Sequence, residues 1–91
     1  MNKARLIDRI ADETGITKNS AAEALESMVE AIRDALKEEQ RVTLSGFGSW
    51  TVSERRARSG RNPRTGETIR IGAKKTVRFR PGKLLESELN R

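Results

Sequence analysis

The sequence of 91 residues contains no cysteine, no histidine and no tyrosine, and its aromatic residues are one tryptophan and two phenylalanines. Without cysteine there can be no disulfide, thiolate metal site or cysteine nucleophile. The carboxylate pairs Asp12-Glu13 and Glu38-Glu39 have neither a histidine partner nor an apolar enclosure that would suit them to acid–base catalysis. No spacing of acidic residues resembles a calcium loop. We therefore predict that the protein is not an enzyme and holds no metal or cofactor.

Long apolar runs are also missing. Apolar residues make up 34% of the chain and charged residues 35%, and no run approaches the length of a membrane span or a signal peptide. The expected location is therefore the cytoplasm. A chain of this length is expected to form one domain, residues 1–91, with a modest core.

The net charge of +6 is distributed unevenly along the chain. Residues 1–40 hold 6 basic and 9 acidic residues, whereas residues 41–91 hold 13 basic and 4 acidic residues. Between residues 55 and 83 there are 11 basic residues and one acid, Glu67. Such segregation favours a polyanionic partner. The partner could be nucleic acid, an anionic membrane or an acidic protein, and composition alone does not choose among them.

The first part of the chain has the apolar period of helices. A short helix is predicted over residues 3–13 and ends at Gly15, and Thr17 is a suitable N-cap for a second helix that runs to about Glu38. The exposed side of this second helix is mostly acidic, so phosphates would repel it. A helix-turn-helix reader of the major groove is therefore excluded.

The apolar side of the second helix covers about half of its circumference, whereas packing on one core needs a stripe of only about 100°. The excess predicts a second buried surface, which a small chain most simply obtains from another copy of itself. A long helix wrapped by its own chain is the alternative, and we favour the dimer. The predicted dimer core consists of Leu25, Met28, Val29, Ile32, Leu36, Phe47, Trp50 and Phe79.

After Gln40 the apolar period changes to two, which predicts strands. The alternating pairs are Val42 and Leu44, Trp50 and Val52, and Val77 and Phe79. They predict a three-stranded antiparallel sheet with one apolar face, towards the helices, and one polar or basic face.

The C-terminal residues 83–91 predict a short helix with Leu84, Leu85 and Leu89 inward. The whole is an α+β fold with two N-terminal helices, in which residues 1–40 form a helical dimerisation part and residues 41–82 a sheet with a long hairpin arm.

The segment RSGRNPRTGETIR, residues 58–70, belongs to this arm, which we place at about residues 55–74. Almost nothing in it is suited to burial in a core. At its tip, Pro63 suits the first central position of a turn, and Gly66 can adopt the positive φ that closes it. A rigid apolar ring between Arg61 and Arg64 is equally suited to entering a minor groove and wedging between bases. The chemistry leaves both interpretations open.

Basic residues continue from the arm onto the sheet. With Val77 and Phe79 facing the helices, Arg78 and Arg80 face the opposite side. Such a charge density suits phosphate contacts, which supply affinity without sequence information. A basic edge that only prevents strand pairing would account for one or two cations and not for 11.

The whole chain resembles the bacterial HU/integration host factor family of histone-like DNA-binding proteins. The densest match is SGFGSW…GRNPRTGE…FRPGK within residues 45–83, and the opening MNKARLIDRIA also looks like the start of the family. The resemblance implies an intertwined dimer whose sheets form a saddle and whose two β-arms embrace the duplex. It also implies that a proline at each arm tip intercalates. By position this residue is Pro63, with Arg61, Asn62 and Arg64 beside it.

We therefore predict an architectural protein that binds double-stranded DNA with little sequence preference, bends it and compacts the nucleoid. Bent, nicked or gapped DNA should be preferred, and the protein should be a homodimer or a heterodimer with a paralogue, without a membrane partner. The alternatives are a sequence-preferring integration host factor-like subunit, a ribosomal-type RNA-binding protein and a scaffold for acidic proteins. The predicted DNA contacts are Lys3, Arg55, Arg58, Arg61, Asn62, Pro63, Arg64, Lys74, Lys75, Arg78, Arg80 and Lys83.

Overall fold

A computed structural model describes all 91 residues. The elements follow the predicted order, and the arm contributes two further strands. They are α1 Lys3–Thr14, α2 Lys18–Lys37, β1 Val42–Leu44, β2 Gly48–Arg55, β3 Arg58–Arg61, β4 Thr68–Ile71, β5 Lys74–Pro81 and α3 Lys83–Leu89. The α+β fold with a three-stranded antiparallel sheet is therefore confirmed. None of the helices combines the length and the apolar character needed to cross a lipid bilayer.

The chain divides into two compact units, Met1–Ala35 and Leu36–Arg91. In the first unit, α1 ends at Gly15, whose φ of 76° lets its N–H donate to the carbonyl of Ala11. The hydroxyl of Thr17 accepts a hydrogen bond from the backbone N–H of Ser20 at 3.1 Å, which is the predicted N-cap of α2. Ion pairs, among them Lys3–Glu26, join α1 to α2.

In the second unit, the sheet has the order β1-β2-β5 with both pairs antiparallel. Trp50 lies opposite Phe79, and Val52 lies opposite Val77. Since opposed residues of a ladder share a face, these four side chains form the predicted apolar face. The rings of Trp50, Phe79 and Phe47 form a cluster, with centroids 4.9 Å apart between Trp50 and Phe79 and 5.4 Å apart between Phe47 and Phe79.

Gly48 begins β2 beside this aromatic cluster. A Cβ atom at Gly48 would lie 2.5 Å from the Phe79 ring and 2.6 Å from the carbonyl oxygen of Arg80. Backbone and ring therefore approach each other at a distance that only glycine allows. This contact fixes the end of β2 against β5.

The arm is not one continuous hairpin. The ladder between β2 and β5 ends at the pair Arg55–Lys74, and the ladder between β3 and β4 begins at Arg58–Ile71. Two residues on each side separate the ladders, so β3 and β4 form a second, two-stranded sheet. The predicted arm is therefore present, but with an interruption at its base.

A single chain buries little apolar surface. Its buried apolar residues are Ala11 and Ala21, and no large side chain is fully buried. Met28, Phe47 and Phe79 of the predicted dimer core are 47%, 45% and 41% exposed. The apolar faces predicted from the sequence thus exist, but one chain leaves them open to solvent.

The C-terminal helix α3 shows the same exposure. Leu85 is half-buried, whereas Leu84 and Leu89 are exposed. The expectation that all three leucines point inward is therefore wrong for Leu84 and Leu89 within one chain. No other helix or strand of the chain packs extensively against α3, so these two side chains stay open to solvent.

Candidate nucleic-acid interface

The face of the sheet opposite the aromatic cluster is basic. Arg78 lies opposite Thr51, and Arg80 lies opposite Ser49, so each arginine shares a face with a hydroxyl residue. A depression of about 350 Å³ opens on this face. Its lining contains no acidic residue and consists of Arg41, Ser49, Thr51, Arg78, Phe79, Arg80 and Pro81. The predicted basic face is therefore a concave surface with uncompensated positive charge.

A second depression, of about 280 Å³, adjoins the first. The two share Arg41, Ser49, Arg80 and Pro81, and the second adds Lys83. Its lining also lacks acidic residues. Three of the predicted contacts, Arg78, Arg80 and Lys83, thus lie along one cationic track.

Arg41 is the residue of this track that the sequence prediction missed. It follows Glu38 and Glu39, which come after α2, and it precedes Val42 as an ordinary polar residue of an alternating strand pattern would. The register supplies the signal, because Thr43 lies opposite Ser49. A residue two positions before Thr43 projects to the same face.

The tip of the arm is an ordered turn over residues 62–66. The carbonyl of Asn62 accepts a hydrogen bond from the N–H of Gly66 at 2.8 Å, and the Asn62 side chain accepts one from the N–H of Arg64 at 2.9 Å. Gly66 has a φ of 76°, the left-handed conformation predicted for it. The turn holds Pro63 exposed at the tip, between the exposed side chains of Arg61 and Arg64.

Asn62 was predicted as a DNA contact, and the structure also gives it a positioning role. Its side chain accepts a hydrogen bond from the N–H of Arg64. Its own backbone N–H donates to the carbonyl of Glu67 at 2.8 Å, which closes the turn across its base. Neither bond requires the ring of Pro63. The backbone that presents the proline is thus organised by its neighbours.

The arm has a second feature that the sequence analysis did not predict. Gly60 lies opposite Ile69, and Arg58 lies opposite Ile71, so the two isoleucines share one face of the arm. Both are exposed, and a Cβ atom at Gly60 would lie 3.1 Å from Ile71. The other face carries Ser59, Arg61, Thr68 and Arg70. One face of the arm therefore carries Gly60 and the two isoleucines, with Arg58 at its base, and the other face is polar or basic.

Arg55 and Lys74 lie opposite each other at the base of the arm and are both exposed. The remaining two predicted contacts are lysines in ion pairs. Lys75 is 2.8 Å from the carboxylate of Glu39, whose hydrogen bond and charge raise the pKa of the lysine. Lys3 pairs with Glu26. In the absence of DNA, both lysines therefore have a carboxylate partner with which a phosphate must compete.

Glu39→Gln should strengthen DNA binding a few-fold at low salt, because it removes the carboxylate that neutralises Lys75. Glu38→Gln is the matched control, since it removes a neighbouring negative charge that is in no ion pair. Fluorescence anisotropy with a labelled duplex measures both variants. Equal gains in affinity would show that only the net charge matters and that the Lys75 pair is irrelevant.

The cationic sheet face and the ordered arm are typical of a DNA-binding protein. Comparisons with known proteins identify the family to which the chain belongs. A family model described as "Bacterial DNA-binding protein" matches residues 1–90. The chain is 49% identical over 90 residues to DNA-binding protein HU-beta of Serratia marcescens, a match that covers 99% of this chain and 100% of that protein. It is 47% identical to HU-beta of Escherichia coli, with the same coverage.

Solved structures agree with the sequence relatives. An Anabaena HU–DNA cocrystal structure matches with a TM-score of 0.85 and 40% identity, over 98% of this chain and 97% of that one. HU from Thermotoga maritima matches with a TM-score of 0.68 and 28% identity, over 98% of each chain. The chain belongs to the bacterial HU family of DNA-binding proteins. This confirms the resemblance inferred from the sequence and, with it, the prediction that the protein is not an enzyme.

Proposed function

We propose that this protein binds double-stranded DNA with little sequence preference, bends it and compacts it in the nucleoid of the bacterial cytoplasm. The acid-free cationic track on the sheet carries the proposal, because arginine and lysine side chains suit a phosphate backbone. Its polar groups are cations and hydroxyls spread over a concave surface. Contacts of this kind position a duplex without reading its bases.

The arm supports DNA bending in particular. Its ordered tip presents an exposed proline between two arginines, which is the chemistry of a minor-groove wedge. Bent, nicked or gapped DNA has weakened stacking and should bind more tightly than an intact duplex. The proposed DNA contacts remain those predicted from the sequence, from Lys3 to Lys83, with Pro63 as the intercalating residue.

The functional unit in this proposal is a dimer, most simply of two identical chains. The exposed apolar side chains of α2 and the sheet support it, because a monomer would leave Met28, Phe47 and Phe79 in water. Two sheets would then form one continuous saddle and two arms would reach around the duplex. A heterodimer with a paralogue uses the same surfaces.

The named relatives, all HU proteins, favour this function over a sequence-preferring subunit, an RNA-binding protein or an acidic-protein scaffold. A competition assay separates these functions. Unlabelled duplex DNA of unrelated sequence should displace a labelled duplex, whereas structured RNA and an acidic protein should displace it much less. Displacement by RNA at equal concentration would contradict the proposal.

Arg80→Ala should weaken binding to all duplex sequences alike, since Arg80 lines both depressions of the cationic track. The logarithm of affinity falls linearly with the logarithm of salt concentration, and each lost phosphate contact lowers that slope by about 0.9, so a dimer with the change in both chains should lose about 1.8. Titrations at several salt concentrations measure it. Arg33→Ala, which removes an exposed arginine of α2, is the control and should leave the slope unchanged. Weakening confined to one DNA sequence would instead indicate base readout.

A further inference from the structure

We propose that Arg41 and Ser49 form a phosphate-binding site on the β1–β2 side of the sheet, in addition to the contacts of Arg78 and Arg80. The inference rests on the DNA-binding function proposed above and assigns the role of this site within it. In this site Arg41 contacts the phosphate, and Ser49 positions the guanidinium group.

The Arg41 side chain is held by a fixed partner. Its Nη2 atom donates to the hydroxyl of Ser49 at 3.2 Å, and Ser49 is only 6% exposed. A guanidinium group has five N–H donors, so four remain for a ligand when one is bound to serine. Holding the side chain in place reduces the conformational entropy that it loses when it binds an anion.

The charge of Arg41 is uncompensated. None of the four ion pairs in the chain includes it. An arginine that served only to fasten β1 to β2 would need no free charge next to Arg78 and Arg80. Its position therefore indicates an anionic ligand from outside the chain.

The two depressions meet at Arg41. Both are lined by Arg41, Ser49 and Arg80, so the two arginines border both depressions. Arg78 completes one depression and Lys83 the other. A single carboxylate would use one depression, whereas consecutive phosphates of a nucleic acid backbone can use both. This continuity favours the phosphate backbone as the ligand.

Arg41→Gln should lower the salt slope of duplex binding by about 0.9 for each phosphate that is no longer neutralised. Arg41→Lys keeps the charge and should keep the slope, but it removes the forked geometry that reaches serine and phosphate together and should bind a few-fold more weakly. Ser49→Ala should also weaken binding a few-fold at unchanged slope. Arg33→Gln removes the same charge from α2 and should change nothing beyond a small general effect. Thermal midpoints and solution mass confirm that each variant is folded.

Arg80→Gln distinguishes failure of the Arg41 site from failure of the proposed function. If it lowers the slope while Arg41→Gln does not, the Arg41 site is wrong and the proposed function stands. If wild-type binding to duplex is absent or insensitive to salt, the proposed function itself fails. If Arg41→Gln does not fold, Arg41→Lys and Ser49→Ala decide, because wild-type affinity in both would overturn the site.

Discussion

Pro63→Ala should bind intact duplex more weakly and should bend it much less, even at saturating protein. The substitution removes a rigid apolar ring and no charge, so electrostatic encounter with DNA survives. HU and integration host factor are themselves among the proteins for which wedge insertion is described, and unstacking a base step costs a few kcal/mol. Without the ring that cost is no longer offset.

The structure makes this test specific for the wedge. The tip turn is closed by hydrogen bonds of Asn62 with Arg64, Gly66 and Glu67, and none of them requires the proline ring. The alanine variant should therefore retain the turn. Pro63→Val is the companion variant, because it keeps an apolar side chain while it also removes the ring. If the apolar wedge matters, Pro63→Val should bend DNA more than Pro63→Ala.

End-to-end energy transfer on a doubly labelled duplex measures the bend. Nicked and gapped duplexes serve as controls, because their stacking is already weakened and their affinity should fall less than that of intact DNA. A folded alanine variant that bends DNA like the wild type would show that Pro63 is only a turn residue. The proposal that the cationic sheet face binds DNA would be unaffected by that result.

Local patterns predicted most of the fold, because local chemistry determines those parts. Thr17 caps α2 through a bond to Ser20 three residues away, and Gly15 ends α1 with a positive φ. The alternation around Trp50 and Phe79 predicted which residues share the apolar face, and the register places these two opposite each other. The family resemblance then supplied what local patterns left open, above all the proposed role of Pro63 as the intercalating residue.

Contacts between residues distant in sequence could not be predicted in the same way. The ion pair of Lys75 with Glu39 depends on how β5 lies beside the chain after α2, which no local pattern states. The place of Arg41 beside Arg80 depends on the register of β1 against β2 and of β2 against β5. Both arrangements form only in the tertiary structure, and each involves a basic residue that is proposed to contact DNA.

The free energy of unfolding is expected to depend strongly on protein concentration. A chain with no large buried side chain cannot offset the conformational entropy lost on folding, so folding and association should be coupled. Each tenfold dilution then lowers the apparent free energy of unfolding by about 1.4 kcal/mol, as mass action requires. The thermal midpoint should fall by a few degrees at each step.

Val29→Glu should abolish the folded dimer at micromolar concentration, because it places a charge on the exposed apolar side of α2 that a partner would have to bury. Ser27→Glu introduces the same charge on the polar side of that helix and should leave the dimer intact.

Trp50 is the only tryptophan and lies 4.9 Å from Phe79, so its emission reports on the aromatic cluster. In Val29→Glu the emission should shift to the red and the solution mass should fall to that of one chain. If the wild type itself has the mass of one chain and a midpoint independent of concentration, one chain folds alone and the dimer is wrong. If Val29→Glu keeps the mass of two chains, α2 is not the surface that joins them.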